Sequence, residues 1–343
     1  MKFSPSITKI NYYIPKINFS TSKLFKSKSK DVVNKIISKT GIDKKFKAKD
    51  NQYASDLGIE AIKKLVFEND LKISEIDFVI FCNQTPNHIL PMSSSIILKE
   101  IFKNKNDIGF IDISQGCSGY IYSLNLARSL ILSKKFKKIL LITADTYSKI
   151  IGKNDTSTLA IFGDGASASI VENVKTDNKN IYDFNLGCDG SKMTDLYLPN
   201  SALQLSKNAN GTQEYSELIM NGVNIFSFTL KKVPESIYNC LKKNNLKITD
   251  IDYFIFHQAN RYILETLRDK LKIEEKKFII DLQYGNTTSS TIPITLFNLI
   301  REKKIKKNDK ILLCGFGVGL SWGTTIIKCA EELIKSIRNI RRD

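Results

Sequence analysis

The stretch IDISQGCSGY, residues 111–120, sets a cysteine between an apolar run and a helical pattern. IGFIDI (108–113) reads as a buried strand. SGYIYSLNLARSLILSKK (118–135) spaces apolar residues at three- and four-residue intervals, as a helix does. Ser114, Gln115 and Gly116 make the turn, and Cys117 stands at the junction. Position alone leaves two readings of this thiol open. It is a small buried hydrophobe, or it is a nucleophile favoured as thiolate by the positive end of the helix macrodipole. Gly116 and Gly119 beside it permit close approach of a substrate.

Working outward, the chain repeats itself. IDLQYGN (280–286) echoes IDISQGC (111–117) as I-D-[IL]-x-x-G-[CN]. ITDIDYFIFHQA (248–259) echoes ISEIDFVIFCNQ (73–84), and DKILLCG (309–315) echoes KKILLIT (137–143). Helical patterns fall between these strands: SIILKEIF (95–102), RYILETLRDKL (261–271) and PITLFNLIREKK (293–304). Alternating strands and helices predict two similar α/β halves with parallel crossovers, packed as one body. The expected boundaries are residues 1–174, carrying the cysteine, and 216–343, carrying a histidine and an asparagine. Residues 175–215, rich in Asn, Asp, Gly and Ser, are expected as an irregular insertion. Ligand sites of α/β sheets collect at the carboxyl ends of strands. Cys117 and Asn286 occupy matching strand ends, as do Cys82 and His257. A pseudo-twofold packing would bring Cys117, His257 and Asn286 to one crevice.

Composition narrows the class. The 343 residues are 42% hydrophobic and 25% charged, which suits a globular protein with a sizeable core. No apolar run approaches membrane length and the N-terminus lacks a signal-like core, so a cytoplasmic protein without a membrane partner is expected. Six scattered cysteines without CxxC spacing argue against structural zinc or any other metal. The net charge of +17 comes mostly from dispersed Lys and reads as solvated faces or as a match to an acidic partner. Nucleic acid is not expected, because no zinc finger, RNP-type motif or basic heptad helix is present.

Other candidates carry similar ambiguity. His257, after YFIF, is a satisfied core residue or a donor to developing charge. His88, in NQTPNHILP, reads as structural. Asn286, in GNTTSSTIP, is a turn or cap residue or a neutral oxyanion donor. GFGVGLSWG (315–323) lacks the spacing of a dinucleotide loop and reads as a tight turn offering backbone N–H groups to an oxyanion.

GCSGYIYSL around the cysteine, FHQAN, YGNTTSSTIP and GFGVGLSWG resemble, in order, motifs of the β-ketoacyl-[acyl-carrier-protein] synthase III family of thiolase-fold condensing enzymes. TGIDKKF (40–46), ASDLGIEAIKKL (54–65) and STLAIFGDGASASIV (157–171) match too, so the resemblance covers nearly the whole chain. It implies a thiolase-like α/β fold of two duplicated halves in αβαβα layers. It also implies that Cys117 accepts the acyl group, while His257 and Asn286 stabilise the enolate left when a malonyl thioester loses carbon dioxide. Backbone N–H groups of Cys117 and of the loop Gly317, Val318 and Gly319, Val318 foremost, would form a second oxyanion hole. The implied cycle is ping-pong. An acyl-CoA or acyl carrier loads Cys117, and condensation with malonyl-[acyl-carrier-protein] gives a 3-oxoacyl thioester in fatty acid biosynthesis. CoA and the carrier's phosphopantetheine arm enter as substrates, contacted by Lys39, Phe226 and Asn260, with no tightly bound cofactor. A homodimer is implied as well, Leu90 in HILPMSS reaching the partner's acyl pocket.

The chain departs from the family at several positions. Lys35 stands where the family has a CoA-stacking tryptophan, and Lys39 where it has an arginine. Thr156 and Tyr262 replace two further arginines, with Arg261 adjacent to the second. These changes spare the chemistry and point to a synthase serving a specialised pathway. The rival readings are acyl transfer from Cys117 to a hydroxyl or amine, and a non-catalytic carrier-binding subunit. The intact Cys-His-Asn set argues against the second.

Overall fold

The structure is a computed structural model that describes residues 3–103, 107–201, 206–207, 213–214 and 216–340. In the first half, β1 (Phe3–Tyr13), β2 (Phe78–Cys82), β3 (Gly109–Ile113), β4 (Lys138–Asp145) and β5 (Gly165–Lys175) form a sheet in the order β3-β2-β4-β5-β1. In the second, β6 (Asn185–Cys188), β7 (Tyr253–Phe256), β8 (Phe278–Ile279), β9 (Lys310–Gly317) and β10 (Ser321–Lys328) follow the order β8-β7-β9-β10-β6. The two orders correspond strand for strand. Each half has two parallel pairings around its second strand and two antiparallel pairings beyond. The repeats read from the sequence are therefore the pairs β2/β7, β3/β8 and β4/β9.

Period-two alternation explains how the sheets stack. In β2, Val79 and Phe81 face helices α2 (Ala54–Asn69) and α3 (Ser94–Ile101), whereas Ile80 faces the molecular centre. In β7, Phe254 and Phe256 face α5 (Gly222–Lys243) and α6 (Arg261–Leu271), and Ile255 faces the centre. Between the sheets lie α4 (Gly119–Leu132) and α7 (Thr291–Arg301), which share one core with Ile139, Leu141, Ile311 and Leu313. The result is five layers, αβαβα. The central α7 is buried from Thr291 to Ile300, as a helix covered by a sheet on both sides must be. Each Leu, Ile or Phe removed from water there contributes about 1.5–3 kcal/mol. Among the described residues, no helix is long and apolar enough to cross a membrane.

Residues 175–215 differ from the irregular insertion expected of them. Asn185–Cys188 is β6, the edge strand against β10 and the counterpart of β1, so the second half begins well before residue 216. Its four residues, NLGC, are mostly half-buried and carry no alternation to read. Pairing to a neighbouring strand defines it, not its own pattern.

Candidate active site

Three chain connections converge between the sheets. Cys117 lies in the turn from β3 to α4, Asn286 in the equivalent turn from β8 to α7, and His257 directly after β7. The His257 N–H extends the β7–β9 ladder by donating to Cys314 O at 2.7 Å. Asn286 is pinned to the first half: its N–H donates to Ile161 O, and its carbonyl accepts from Gly163 N–H, both at 3.0 Å. Cys117, His257 and Asn286, each no more than 3% exposed, line one narrow cavity of about 50 Å3. Its walls are apolar, with Phe162, Leu196, Met220, Ile225 and Phe316 among them.

The Cys117 turn is clamped to the β9–β10 connection. Gln115 Nε2 donates to Ser118 Oγ and Ser321 Oγ, both at 2.9 Å, and the two hydroxyls lie 2.7 Å apart. Gly315 and Gly317 on β9 come so close that a Cβ on Gly315 would sit 2.7 Å from Ser118 Cα. On Gly317 it would sit 3.0 Å from Cys117 Sγ. The backbone N–H groups of Cys117 and Val318 both reach the thiol.

Burial opposes the thiolate that the helix-dipole reading of Cys117 favours. Burial, reinforced by the Asp145 carboxylate, pushes the Cys117 thiol from 9.0 up to about 12, against those two N–H groups. A helix dipole supplies at most about 2 kcal/mol, roughly 1.5 pH units of titration. Burial wins. Cys117 also precedes Ser118, the residue that caps α4, and so sits outside the helix itself.

His257 is held neutral, because burial lowers its titration to about 3 while the Thr288 backbone opposes weakly. Its Nδ1 lies 2.9 Å from Thr291 Oγ1, and the ring meets Phe316 edge-on at 5.5 Å. Asn286 Oδ1 accepts the Thr288 N–H at 2.9 Å. Asp145, at the end of β4, is buried, which raises its carboxyl to about 7, and it meets Thr288 Oγ1 at 2.5 Å.

The remaining sequence candidates scatter. Asn260 lines the cavity while its side chain caps α6, accepting from Ile263 N at 2.9 Å. Phe226 stacks on Tyr262 with centroids 5.3 Å apart. Lys35 and Lys39, both exposed on α1 (Lys30–Thr40), and exposed Thr156 stand outside the cavity. Gly41, just after α1, packs on Arg261. Gly317 lines the cavity, whereas the nearest neighbours of Gly319 are atoms of Ser321. Leu90 is 84% exposed and is not among the residues that line this chain's own cavity. Sequence reading missed Asp145, Thr288 and Thr291. An acid closing the apolar run KILLITAD was the available signal for the first.

Duplicated halves that place a cysteine and an asparagine at equivalent turns around one apolar cavity define a thiolase-like condensing enzyme. Residues 111–190 match the family model for 3-oxoacyl-[acyl-carrier-protein] synthase III, and residues 241–329 match the model for its C-terminal part. The chain belongs to the β-ketoacyl-[acyl-carrier-protein] synthase III family, and its activity is that acyl-transferring condensation. A Clostridium perfringens β-ketoacyl-[acyl-carrier-protein] synthase III is 40% identical over 296 residues, 85% of this chain and 90% of that protein. A Halalkalibacterium halodurans relative, β-ketoacyl-[acyl-carrier-protein] synthase III 2, is 33% identical over 94% of this chain and 96% of its own. A crystal structure of a 3-oxoacyl-(acyl-carrier-protein) synthase III superposes with a TM-score of 0.89 at 32% identity, covering 95% of this chain and all of the other.

Proposed function

We propose that Cys117 carries the acyl group, that His257 and Asn286 donate hydrogen bonds to the malonyl enolate, and that the N–H groups of Cys117 and Val318 hold the second oxyanion. The observation supporting this most directly is the convergence of Cys117, His257 and Asn286 on one narrow, apolar-walled cavity. Cys117 attacks the carbonyl of the incoming acyl thioester, the bond to the CoA sulfur breaks, and the thiol proton leaves with CoA. Malonyl-[acyl-carrier-protein] then loses carbon dioxide, and the electron pair of the broken C–C bond becomes an enolate. Its oxygen needs donors that do not themselves remove protons. A neutral imidazole and an amide meet that need. The enolate carbon attacks the acyl carbonyl, and collapse of the tetrahedral oxyanion returns the Cys117 sulfur. This scheme involves no tightly bound cofactor.

The His257 role requires its ring hydrogen on Nε2, with Nδ1 accepting. Thr291 makes this feasible. Its hydroxyl lies within reach of both Thr288 O, at 3.0 Å, and His257 Nδ1, at 2.9 Å; because the Thr291 backbone N–H also meets Thr288 O, the hydroxyl can turn from that carbonyl to donate to Nδ1.

A second copy of the chain completes the reading. β3 ends its sheet, and its outer edge pairs with no other strand among the described residues. Phe110 and Ile111 on that strand and Ile89, Leu90 and Met92 nearby are exposed. An apolar open edge calls for cover. Pairing β3 across a twofold axis would supply it and carry Leu90 toward the partner's acyl pocket. Lys39, Phe226 and Asn260 then serve the CoA or phosphopantetheine arm at the cavity mouth. The surplus of positive charge suits an acidic carrier.

Incubation with a panel of acyl-CoA and acyl-carrier donors tests the assignment. The expected result is a single acyl mass on the peptide containing Cys117. Acylation elsewhere, or on no peptide across the panel, contradicts it.

A further inference from the structure

Thr288 is fully buried and holds φ at +52°, the left-handed region that a β-branched residue enters only at an energetic cost. Its contacts reach Asn286 directly and His257 through Thr291. Its N–H donates to Asn286 Oδ1 at 2.9 Å. Its carbonyl accepts the N–H of Thr291, the residue whose Oγ1 meets His257 Nδ1. Its hydroxyl meets Asp145 Oδ2 at 2.5 Å, across the junction between the halves. Asp145 is fixed in turn, because its Oδ1 accepts from Gln84 N–H at 2.7 Å and from Thr85 Oγ1 at 3.2 Å.

An amide whose oxygen is occupied by a backbone N–H must present its NH2 group elsewhere. We propose that Thr288, anchored by Asp145, is a positioning residue that turns the Asn286 NH2 toward the cavity and seats Thr291 against His257. Both donors then point at one spot before the malonyl thioester arrives. Preorganisation of this kind avoids reorganisation during the reaction. The inference rests on the donor roles proposed above.

The anchor works in either protonation state of Asp145. Ionised, the carboxylate accepts the Thr288 hydroxyl. Protonated, it donates to Thr288 Oγ1, and the hydroxyl turns to Thr287 O, 2.8 Å away. The contact requires a hydrogen bond and not a charge, so T288S and D145N preserve it while T288V and D145A remove it.

The test uses the full chain and reads two reactions separately: acylation of Cys117 by an acyl-CoA, and carbon dioxide release from malonyl-[acyl-carrier-protein]. T288V and D145A should acylate within roughly threefold of wild type but lose at least about tenfold in kcat for decarboxylation. T288S and D145N should keep both rates. Equal loss in both reactions, tracking a lower melting temperature, would make Thr288 a structural prop and overturn the inference. Decarboxylation at the wild-type rate in T288V would do the same. T288G, which removes the hydroxyl and relieves the backbone, replaces T288V if that variant does not fold. N286A separates the two possible failures. Unchanged decarboxylation in N286A sinks the donor role, whereas its loss there beside a normal T288V sinks the positioning role alone.

Discussion

Adding one methyl group beside Cys117, the proposed nucleophile, tests the packing on which that residue depends. In G317A the new Cβ would stand 2.9 Å from Cys117 Cβ and 3.0 Å from Sγ, where ordinary contact begins at 3.4 Å. Cys117 cannot yield freely, because its carbonyl and Ser118 Cα lie against Gly315 on the same strand. Overpacking of this kind costs about 1–3 kcal/mol of stability. The larger effect falls on chemistry. Displacing a reacting atom by a fraction of an ångström to 1 Å costs up to ~10²-fold in rate, equivalent to about 2.7 kcal/mol of barrier. The assay follows the acyl-Cys117 mass over a single turnover, with thermal melting in parallel. G190A, whose Cβ would meet nothing within 4 Å, serves as the control and should match wild type in both. Acylation of G317A within about threefold of wild type, with unchanged melting, would refute the claim that Gly317 is required by close approach.

Three further outcomes follow from burial and edge geometry. Asp145 titrates at about 7 when folded, through burial, against 3.8 in the unfolded chain, so its contribution to stability declines as pH rises from 3.8 to 7. D145N should therefore be more stable than wild type at pH 8 by denaturant midpoint, with the gain vanishing toward pH 4; His257, lowered to about 3, works in the opposite sense in both proteins. Brief alkylation of the native protein at pH 7 should label exposed Cys188 before any other cysteine, read by peptide mass. Burial pushes the Cys117 thiol up to about 12, so it is protonated at that pH and its labelling should accelerate as pH rises. I111D, placing a charge on the open edge of β3, should shift a sedimenting dimer to monomer; a wild-type protein that already sediments as a monomer contradicts the proposed pairing.

The duplicated halves were legible because both copies of a strand must bury two faces, which leaves the same Ile-Asp-apolar signature in β2 and β7. The convergence of Cys117, His257 and Asn286 was legible for a related reason: the strand ends of both halves face one cavity. The walls of the cavity were not. Phe162, Leu196, Met220 and Ile225 come from segments far apart in the chain, and each alone reads as ordinary core. Thr288 and Thr291 were not legible either, since a hydroxyl's partner across the molecule leaves no local pattern. The thiol stayed ambiguous in sequence because a helix start is visible there, while the desolvation that opposes its dipole is a property of the assembled core.

The most direct test of the central claim is the separation of the two half-reactions in H257A and N286A. Both variants should acylate Cys117 at near wild-type rates, yet release carbon dioxide from malonyl-[acyl-carrier-protein] at least about 10²-fold more slowly, as expected for loss of an oxyanion donor. Undiminished carbon dioxide release in either variant would contradict the role assigned to that residue. Loss of acylation and decarboxylation together would contradict the division of labour between the cysteine and its two donors.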